Sequence, residues 1–163
     1  MSKQMIAFIK ESNEIERIYR DPSIREIEEF KRFFALDKIH MSDIERFVSV
    51  YQSNARMRVS TSDNVQIGTY LPPRGGQHIL YQLDAILHRA NSNRTEEGAY
   101  NTHNEYESLH PFTDGNGRSG RMLWVWQMKD NNPFSYSFLQ RYYYQSLAYC
   151  KQEGGSDGYT RAY

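Results

Sequence analysis

Twelve consecutive residues, from His110 to Arg121, constrain this chain more than any other stretch. They read HPFTDGNGRSGR and include one histidine, one aspartate, three glycines and two arginines. Closely spaced glycines allow a tight turn whose N–H groups face inward, and a helix predicted to begin near Asn116 adds free amides and the positive end of its dipole. The string therefore predicts a loop and a helix N-terminus that bind an anion.

The side chains of this string suit a polyphosphate. Arg118 and Arg121 are three residues apart on the predicted helix, so both should project over one face and bind oxygens of neighbouring phosphates. Asp114 offers the single carboxylate that Mg²⁺ usually takes from protein when phosphate oxygens and water complete its coordination. His110, with an ordinary pKa of about 6.5, can accept a hydroxyl proton near neutral pH.

The string resembles the signature of the Fic family (filamentation induced by cAMP), written HxFx(D/E)GNGRxxR. Every fixed position is matched, by His110, Phe112, Asp114, Gly115, Asn116, Gly117, Arg118 and Arg121. A plain glycine-rich loop between helices is the alternative, and the particular order of the residues disfavours it. The resemblance implies a mostly α fold, a Fic-type helical bundle with a small β-hairpin flap beside the active-site loop at residues 110–121.

The resemblance also implies an activity, the transfer of AMP from ATP to a Ser, Thr or Tyr hydroxyl of a target protein with release of pyrophosphate. By that likeness His110 would take the hydroxyl proton, Asp114 would hold Mg²⁺ at the α- and β-phosphates, and Arg121 would reach the γ-phosphate. The anion site would be lined by Gly115, Asn116, Gly117 and Arg118. The similar Doc-like kinases carry lysine at the position of Gly117, so glycine favours AMP transfer over phosphate transfer.

A second segment, residues 60–73, resembles the Fic flap, which aligns a target by main-chain pairing. Within it, apolar and polar residues alternate before Pro72-Pro73, as in a short strand with an exposed edge. The target-docking residues would be Val65, Gln66, Ile67 and Gly68. An ordinary hairpin that only covers the core fits the pattern equally well, and the position upstream of the signature favours the flap. We call residues 60–73 the flap segment.

A third segment, at the N-terminus, resembles the Fic inhibitory motif (S/T)xxxE(G/N). Residues 1–21 are predicted to form a helix in which Ser12 and Glu16 fall on the apolar stripe. A carboxylate on a packed face needs a partner, and the resemblance implies that this partner is Arg121. Arg17 replaces the usual glycine or asparagine, so its side chain either crowds the nucleotide or points outward. A solvated Glu16 on an irregular amphipathic helix is the alternative.

The spacing of apolar residues predicts helices along the whole chain. Asp21-Pro22 should cap the second helix, and a capping box at Ser42-Asp43-Ile44-Glu45 the third. The apolar stripe of the second helix would consist of Ile24, Ile27, Phe30 and Phe34. Later helices are predicted over 77–90, 95–109 and 134–151, and the helix after the signature should be central and buried because it is apolar on most sides. His103 should brace the site through a hydrogen bond.

Composition bounds the remaining possibilities. The 163 residues suit a single domain, predicted over 1–152 with a mobile tail at 153–163. Lys+Arg and Asp+Glu number 20 each, so no general attraction to nucleic acid or an anionic membrane is expected. A single cysteine, Cys150, allows no internal disulfide, and no apolar run suits a signal peptide or a spanning helix. We predict a cytoplasmic protein, with secretion as an effector still compatible.

The sequence thus predicts a protein adenylyltransferase inhibited by Glu16, with ATP as co-substrate, Mg²⁺ as cofactor and a target protein docked at the flap segment. One alternative is a non-catalytic module that binds nucleotide and peptide. Others are a Fic enzyme that uses another phosphate-containing donor and one that removes AMP. A helix-turn-helix DNA binder is disfavoured by the neutral charge and by the apolar helix after the glycine turn. A homo-oligomer is compatible with the sequence.

Overall fold

Seven α-helices account for most of residues 3–153, the part of the chain described by a computed structural model, with side chains described from 3 to 149. They are α1 (Lys3–Ile15), α2 (Ile24–Ala35), α3 (Met41–Tyr51), α4 (His78–Ser92), α5 (Glu96–Leu109), α6 (Asn116–Gln127) and α7 (Phe138–Glu153), with a 3-10 turn at Lys129–Asn131. The described residues contain isolated β-bridges and no sheet, so the mostly α prediction is confirmed. None of these helices is long and apolar enough to cross a membrane. The tail predicted at 153–163 lies outside the described residues, apart from Glu153.

Helix α6 lies at the centre, as its composition predicts. Its residues from Met122 to Trp126 are buried, and it packs against α1, α2, α3 and α5. Two indole N–H groups remain satisfied in this core because Trp124 Nε1 donates to Gln145 Oε1 at 2.9 Å and Trp126 Nε1 donates to Leu36 O at 2.7 Å. The helix that follows the signature is therefore anchored on most of its faces.

Helix α1 packs into this core through its apolar face. Phe8 and Ile9 are 4% and 1% exposed, and the Phe8 ring lies 6.4 Å from that of Trp124 and 5.8 Å from that of Phe30. Exposing both side chains would cost about 3–6 kcal/mol. The segment that carries Ser12 and Glu16 is thus held by its own chain.

The end of α1 differs from the predicted helix over 1–21, because the helix stops at Ile15. Two main-chain hydrogen bonds close a Schellman turn there: Arg17 N–H to Glu14 O at 2.8 Å and Ile18 N–H to Asn13 O at 2.9 Å. Arg17 adopts the left-handed conformation (φ 62°) that this turn requires. Glu16 therefore occupies the helix cap, and the side chains of Arg17 and Tyr19 beyond it are exposed, Tyr19 by 79%.

Replacing Arg17 by glycine is expected to raise the free energy of unfolding by about 1 kcal/mol, because glycine adopts this conformation without a Cβ clash. Arg17→Ala is the matched control, since it removes the same exposed side chain but keeps the Cβ. Thermal unfolding of the three proteins measures the difference. Equal stabilisation by alanine would show that the side chain, and not the backbone conformation, is the source.

Helix α2 begins two residues later than predicted. Ser23, rather than Asp21-Pro22, is its cap: Glu26 N–H donates to Ser23 Oγ at 3.3 Å and Ser23 N–H donates to Glu26 Oε2 at 2.6 Å. The predicted stripe is also displaced, because Ile24 is 74% exposed whereas Phe33 is fully buried. The reciprocal bonds of the capping box set this start, and α2 then turns a different face inward.

Other helix boundaries were set by contacts that periodicity does not reveal. Helix α3 starts at Met41, ahead of the predicted box, because the Asp43 carboxylate accepts the N–H of His40 at 3.0 Å. Helix α7 starts at Phe138, and not near 134, because the Glu11 carboxylate of α1 accepts the N–H groups of Phe138 at 2.9 Å and Leu139 at 3.1 Å. Each start is therefore placed by a carboxylate cap.

The flap segment contains no strand. Ile67 and Tyr70 form a single antiparallel bridge, with main-chain hydrogen bonds of 3.0 and 2.9 Å around a two-residue turn. The ladder cannot extend far, because Pro72-Pro73 follows at once and lacks N–H donors. The structure thus has a tight exposed turn where the sequence predicts a β-hairpin.

Candidate active site

The signature loop is closed by one of its own side chains. Asn116 accepts the N–H of Phe112 at 2.9 Å and donates to the carbonyl oxygen of Phe112 at 2.8 Å. Phe112 is 2% exposed and forms an antiparallel bridge with Met57, which anchors the loop in the core. Gly115 supplies the left-handed residue (φ 78°) from which α6 starts, and α6 begins at Asn116 as predicted.

The first turn of α6 presents main-chain N–H groups that have no intrahelical partner. Ser119 is the first residue of this turn whose main-chain N–H is bonded within the helix, and it donates to Gly115 O at 3.1 Å. The N–H groups of Asn116, Gly117 and Arg118 come before it and lie at the positive end of the helix dipole. Free main-chain N–H groups at a helix N-terminus are the donors that anion sites in proteins commonly use.

Arg118 lies on the side of α6 that faces the end of α3. It is 4% exposed and donates to Tyr51 O at 3.1 Å and to Gln52 Oε1 at 3.2 Å. The Gln52 amide in turn donates to Asp114 Oδ2 at 2.6 Å, and Asp114 stays exposed. Gln52 thus connects an arginine and a carboxylate of the signature. Sequence reasoning missed Gln52, because a polar residue at a helix end carries no signal of its own.

Arg121 faces α1 instead. It is 5% exposed, and it donates from Nε to Ser12 Oγ at 2.9 Å and from Nη2 to Ser12 O at 3.0 Å and Glu16 Oε1 at 2.5 Å. Ser12 and Glu16 are therefore brought together on Arg121. The two arginines reach different neighbouring elements, although the i, i+3 spacing alone predicts a shared direction.

The Glu16 carboxylate also lies against Gly117. A Cβ at position 117 would collide with Glu16 Oε1, so only glycine leaves room for this close approach. A negatively charged group thus covers the first turn of α6, where backbone amides and the helix dipole favour an anion. Glu16 fills part of the space in which a phosphate would be expected.

His110 follows directly on α5 and is half-buried. Burial lowers its pKa below the ordinary value, the Arg58 charge lowers this pKa further, and the Glu107 backbone, Glu16 and Asp114 act in the opposite direction. The imidazole is therefore neutral at physiological pH and able to accept a proton.

Two titratable side chains on α5 lie behind the loop: His103 is buried, and Glu107 is half-buried with its Oε1 atom out of contact with solvent. Burial raises the pKa of Glu107 to about 7, against a lowering effect of Arg121. Burial lowers the pKa of His103 to about 4, and a hydrogen bond to the Gly120 backbone opposes that shift. His103 thus has the bracing contact that the sequence suggests, whereas Glu107 escaped sequence analysis because glutamate on a helix is usually solvated.

Glu107→Gln is expected to stabilise the protein by about 2–3 kcal/mol at pH 8 and by little at pH 4.5. The unfolded carboxyl ionises above its ordinary pKa, whereas the folded one keeps its proton up to about pH 7. The ionised carboxylate therefore lowers stability most above pH 7, and this cost disappears as the pH falls through that window. Thermal unfolding at both pH values measures the effect. Glu105→Gln, on the exposed face of α5, should show no such pH-dependent gain.

The flap segment is tied to the helix that ends before His110. Tyr70 Oη donates to Ser108 O at 2.9 Å. A cavity of about 490 Å³ opens beside this contact, lined by residues that include Tyr70, Pro73, Ile86, Ser108 and Leu109. The predicted docking residues Gln66, Ile67 and Gly68 are exposed and Val65 is half-buried.

Comparison with known families gives a match over most of the described residues. The family model described as Fic/DOC family matches residues 15–128, more than half of the chain. The matched range contains the signature loop, the flap segment and Glu16, and it leaves out most of α1 and all of α7.

Proposed function

The chain belongs to the Fic/DOC family, and from this premise we propose that it is a protein adenylyltransferase that moves AMP from ATP to a hydroxyl of a target protein. One observation carries the proposal: the His110 imidazole, whose pKa is lowered by burial, stands at one end of a short loop whose other end is a helix N-terminus flanked by two arginines. A base beside a polyphosphate site is the arrangement that such a transfer requires.

The nucleotide's phosphates would bind at the first turn of α6. Arg118 would approach from the α3 side and Arg121 from the α1 side, so that the negative charge of the triphosphate is neutralised from both directions. Asn116 would contribute through its main-chain N–H and through the loop shape, since its side chain is engaged with Phe112.

The position of Asp114 suits a magnesium ion that binds together with the phosphates of the nucleotide. Its carboxylate is exposed at the loop surface, oriented by the Gln52 amide and by the N–H of Gly115 at 2.6 Å. One such carboxylate together with phosphate oxygens and water is a usual magnesium shell. When bound, the ion would neutralise charge on the α- and β-phosphates.

The transfer itself needs one proton acceptor. His110 would take the proton of the target hydroxyl as its oxygen forms a bond to the α-phosphorus. The bond from that phosphorus to the oxygen bridging to the β-phosphate breaks, and pyrophosphate leaves with the electron pair. The proton on His110 then passes to solvent.

The target would dock at the exposed turn of the flap segment. Ile67 is paired with Tyr70 through both its N–H and its C=O, and Gly68 O accepts from the Gln66 side chain. Pairing with an extended peptide, the mode in which backbone hydrogen bonds supply affinity, would therefore use the exposed backbone at Gln66 and the outer edge of the turn. The Tyr70–Ser108 hydrogen bond holds that turn close to the helix end that precedes His110.

Glu16 would inhibit the enzyme within a single chain. Its ion pair with Arg121 engages the group proposed for the γ-phosphate, and its position against Gly117 takes up space at the anion site. Because Phe8 and Ile9 hold α1 in the core, release would involve the capping turn around Glu16 rather than departure of the helix.

ATP labelled at different phosphates tests the proposed reaction. The Glu16→Gly protein is incubated with Mg²⁺, a cell lysate and ATP carrying the label on either the α- or the γ-phosphate. Label from the α-position alone, with release of pyrophosphate, supports AMP transfer. Label from the γ-position indicates phosphate transfer, and ATP binding without transfer indicates a binding module. Competition by GTP, CTP and UTP identifies the preferred donor.

A further inference from the structure

Arg58 is fully buried, and its guanidinium has no hydrogen bond to a carboxylate among residues 3–149. Its donors face main-chain carbonyl oxygens instead: Asp63 O at 2.8 Å, His110 O at 2.7 Å, Leu109 O at 3.2 Å and Pro73 O. A buried cation is tolerated only where acceptors surround it in this way. Arg58 therefore organises the backbone segments that supply those carbonyls.

Two of these carbonyls belong to the end of α5. The last carbonyl groups of a helix lack intrahelical partners and carry the negative end of its dipole, so they suit a buried cation. His110 is left-handed (φ 50°, ψ 63°), an uncommon conformation for a residue with a Cβ. The Arg58 N–H also donates to Pro111 O at 2.9 Å. Arg58 thus binds the peptide groups on both sides of His110.

The backbone of Glu107, on the same helix α5, is the main-chain contact that acts on the His110 imidazole. The Nδ1 atom is buried and makes no hydrogen bond of ordinary geometry in the described part of the chain. The direction of the imidazole therefore depends on the main chain of His110, and so on the contacts that set that main chain.

The remaining contacts of Arg58 reach the flap segment. Asp63 lies near the start of the segment and Pro73 at its end, and just beyond it the N–H of Gly76 donates to Arg58 O at 2.9 Å. A single residue is thereby bonded to both ends of the flap segment and to the backbone around His110.

We propose that Arg58 is a positioning residue that holds the His110 main chain and both ends of the flap segment in one geometry, so that a docked hydroxyl and the base that takes its proton stay aligned. This inference rests on the proposed function. Lysine cannot replace Arg58, because one ammonium group lacks the planar set of donors that spans these carbonyls.

Arg58→Lys, made in the Glu16→Gly protein, tests the proposal. We expect transfer of α-labelled AMP to lysate proteins to fall about 100-fold, the scale of a misplaced reacting group. ATP affinity, measured by calorimetry, should stay within about twofold, because the proposed phosphate contacts are elsewhere. Arg56→Lys is the matched control: its side chain is 69% exposed and binds Asp63 rather than the His110 backbone. Transfer equal to that of the control, or ATP affinity falling in proportion to transfer, would overturn the proposal.

A pH profile separates positioning from general loss of packing. Arg58→Met removes the charge that lowers the pKa of His110, whereas Arg58→Lys keeps a charge. In the Glu16→Gly protein the other charged group acting on His110 is Asp114, which both variants retain. The acid limb of the rate profile should therefore move to higher pH in Arg58→Met alone. If the acid limbs of the two variants fell at the same pH, the result would count against an effect of Arg58 on His110.

Amide signals test the coupling even if no transfer occurs. In NMR spectra Arg58→Lys should shift the amides of both His110 and Gly76, and in the unsubstituted protein the Arg58 and Gly76 amides should exchange with solvent at the same opening rate. Shifts at only one of the two sites, or independent opening, would contradict the proposal. Absence of transfer by the Glu16→Gly protein itself would remove the proposed function, while these measurements would still decide the coupling. The exchange experiment needs no substitution, so it stands if a variant does not fold.

Discussion

His110→Asn in the Glu16→Gly protein is expected to lower AMP transfer by about 10²–10⁴-fold while ATP binding persists. Asparagine tolerates the left-handed conformation of this position, so the loop keeps its shape, but it has no basic nitrogen to take the hydroxyl proton. The phosphates would still meet the first turn of α6 and its two arginines. The rate of AMP transfer is measured with α-labelled ATP, and the affinity for ATP is measured by calorimetry.

The control for this substitution is His88→Asn, on an exposed face of α4, which should leave transfer unchanged. Retention of a tenth or more of the transfer rate in His110→Asn would show that another group takes the proton. The pH dependence gives a second check. Protonated His110 cannot act as a base, so transfer should fail as the pH drops through its pKa, and burial shifts the pKa of His110, and with it that acid limb, below the ordinary histidine value.

Glu16→Gly is expected to raise transfer by about 10- to 100-fold, the range typical of regulatory coupling between two groups. The substitution removes the ion pair that engages Arg121 and clears the space against Gly117. Arg121 keeps its hydrogen bonds to Ser12, so it stays near the anion site. ATP affinity should rise together with transfer, and both are measured with the same assays.

Matched glutamine variants show which carboxylate is responsible for the inhibition. Glu16→Gln keeps the size of the side chain but removes its charge, and it should release most of the inhibition. Glu14→Gln alters an exposed carboxylate two residues earlier and should release none. Inhibition of the unsubstituted protein should also be independent of protein concentration, because α1 belongs to the core of the same chain. Inhibition that weakens on dilution would instead place Glu16 in the site of a second copy.

Sequence reasoning was most successful where the structure is local. The turn from His110 to Arg121 and the start of α6 follow from glycine conformations and helix-terminus chemistry within twelve residues. The burial of α6 follows from its apolar composition. The pairing of Glu16 with Arg121 was anticipated by resemblance, although no local rule links positions more than 100 residues apart, whereas the hydrogen bonds from Arg121 to Ser12 were not anticipated.

Sequence reasoning was weaker at the ends of elements. Helix α1 stops at Ile15 because Arg17 takes a conformation that arginine does not signal. Helix α7 starts late because Glu11, from the other end of the chain, caps it. The flap segment has one bridge where alternation predicts a strand, since a ladder also needs N–H donors on its partner.

By itself the sequence determined the helical class of this protein, the glycine turn that leads into α6 and the residue types present there, because each depends on interactions between near neighbours in the chain. Only the tertiary structure decided that Arg118 faces Gln52 while Arg121 faces Glu16, that the Glu107 Oε1 atom is buried, and that Arg58 joins His110 to the flap segment. These pairings arise when helices pack, and burial then leaves each charged or polar group dependent on whichever partner the packing supplies.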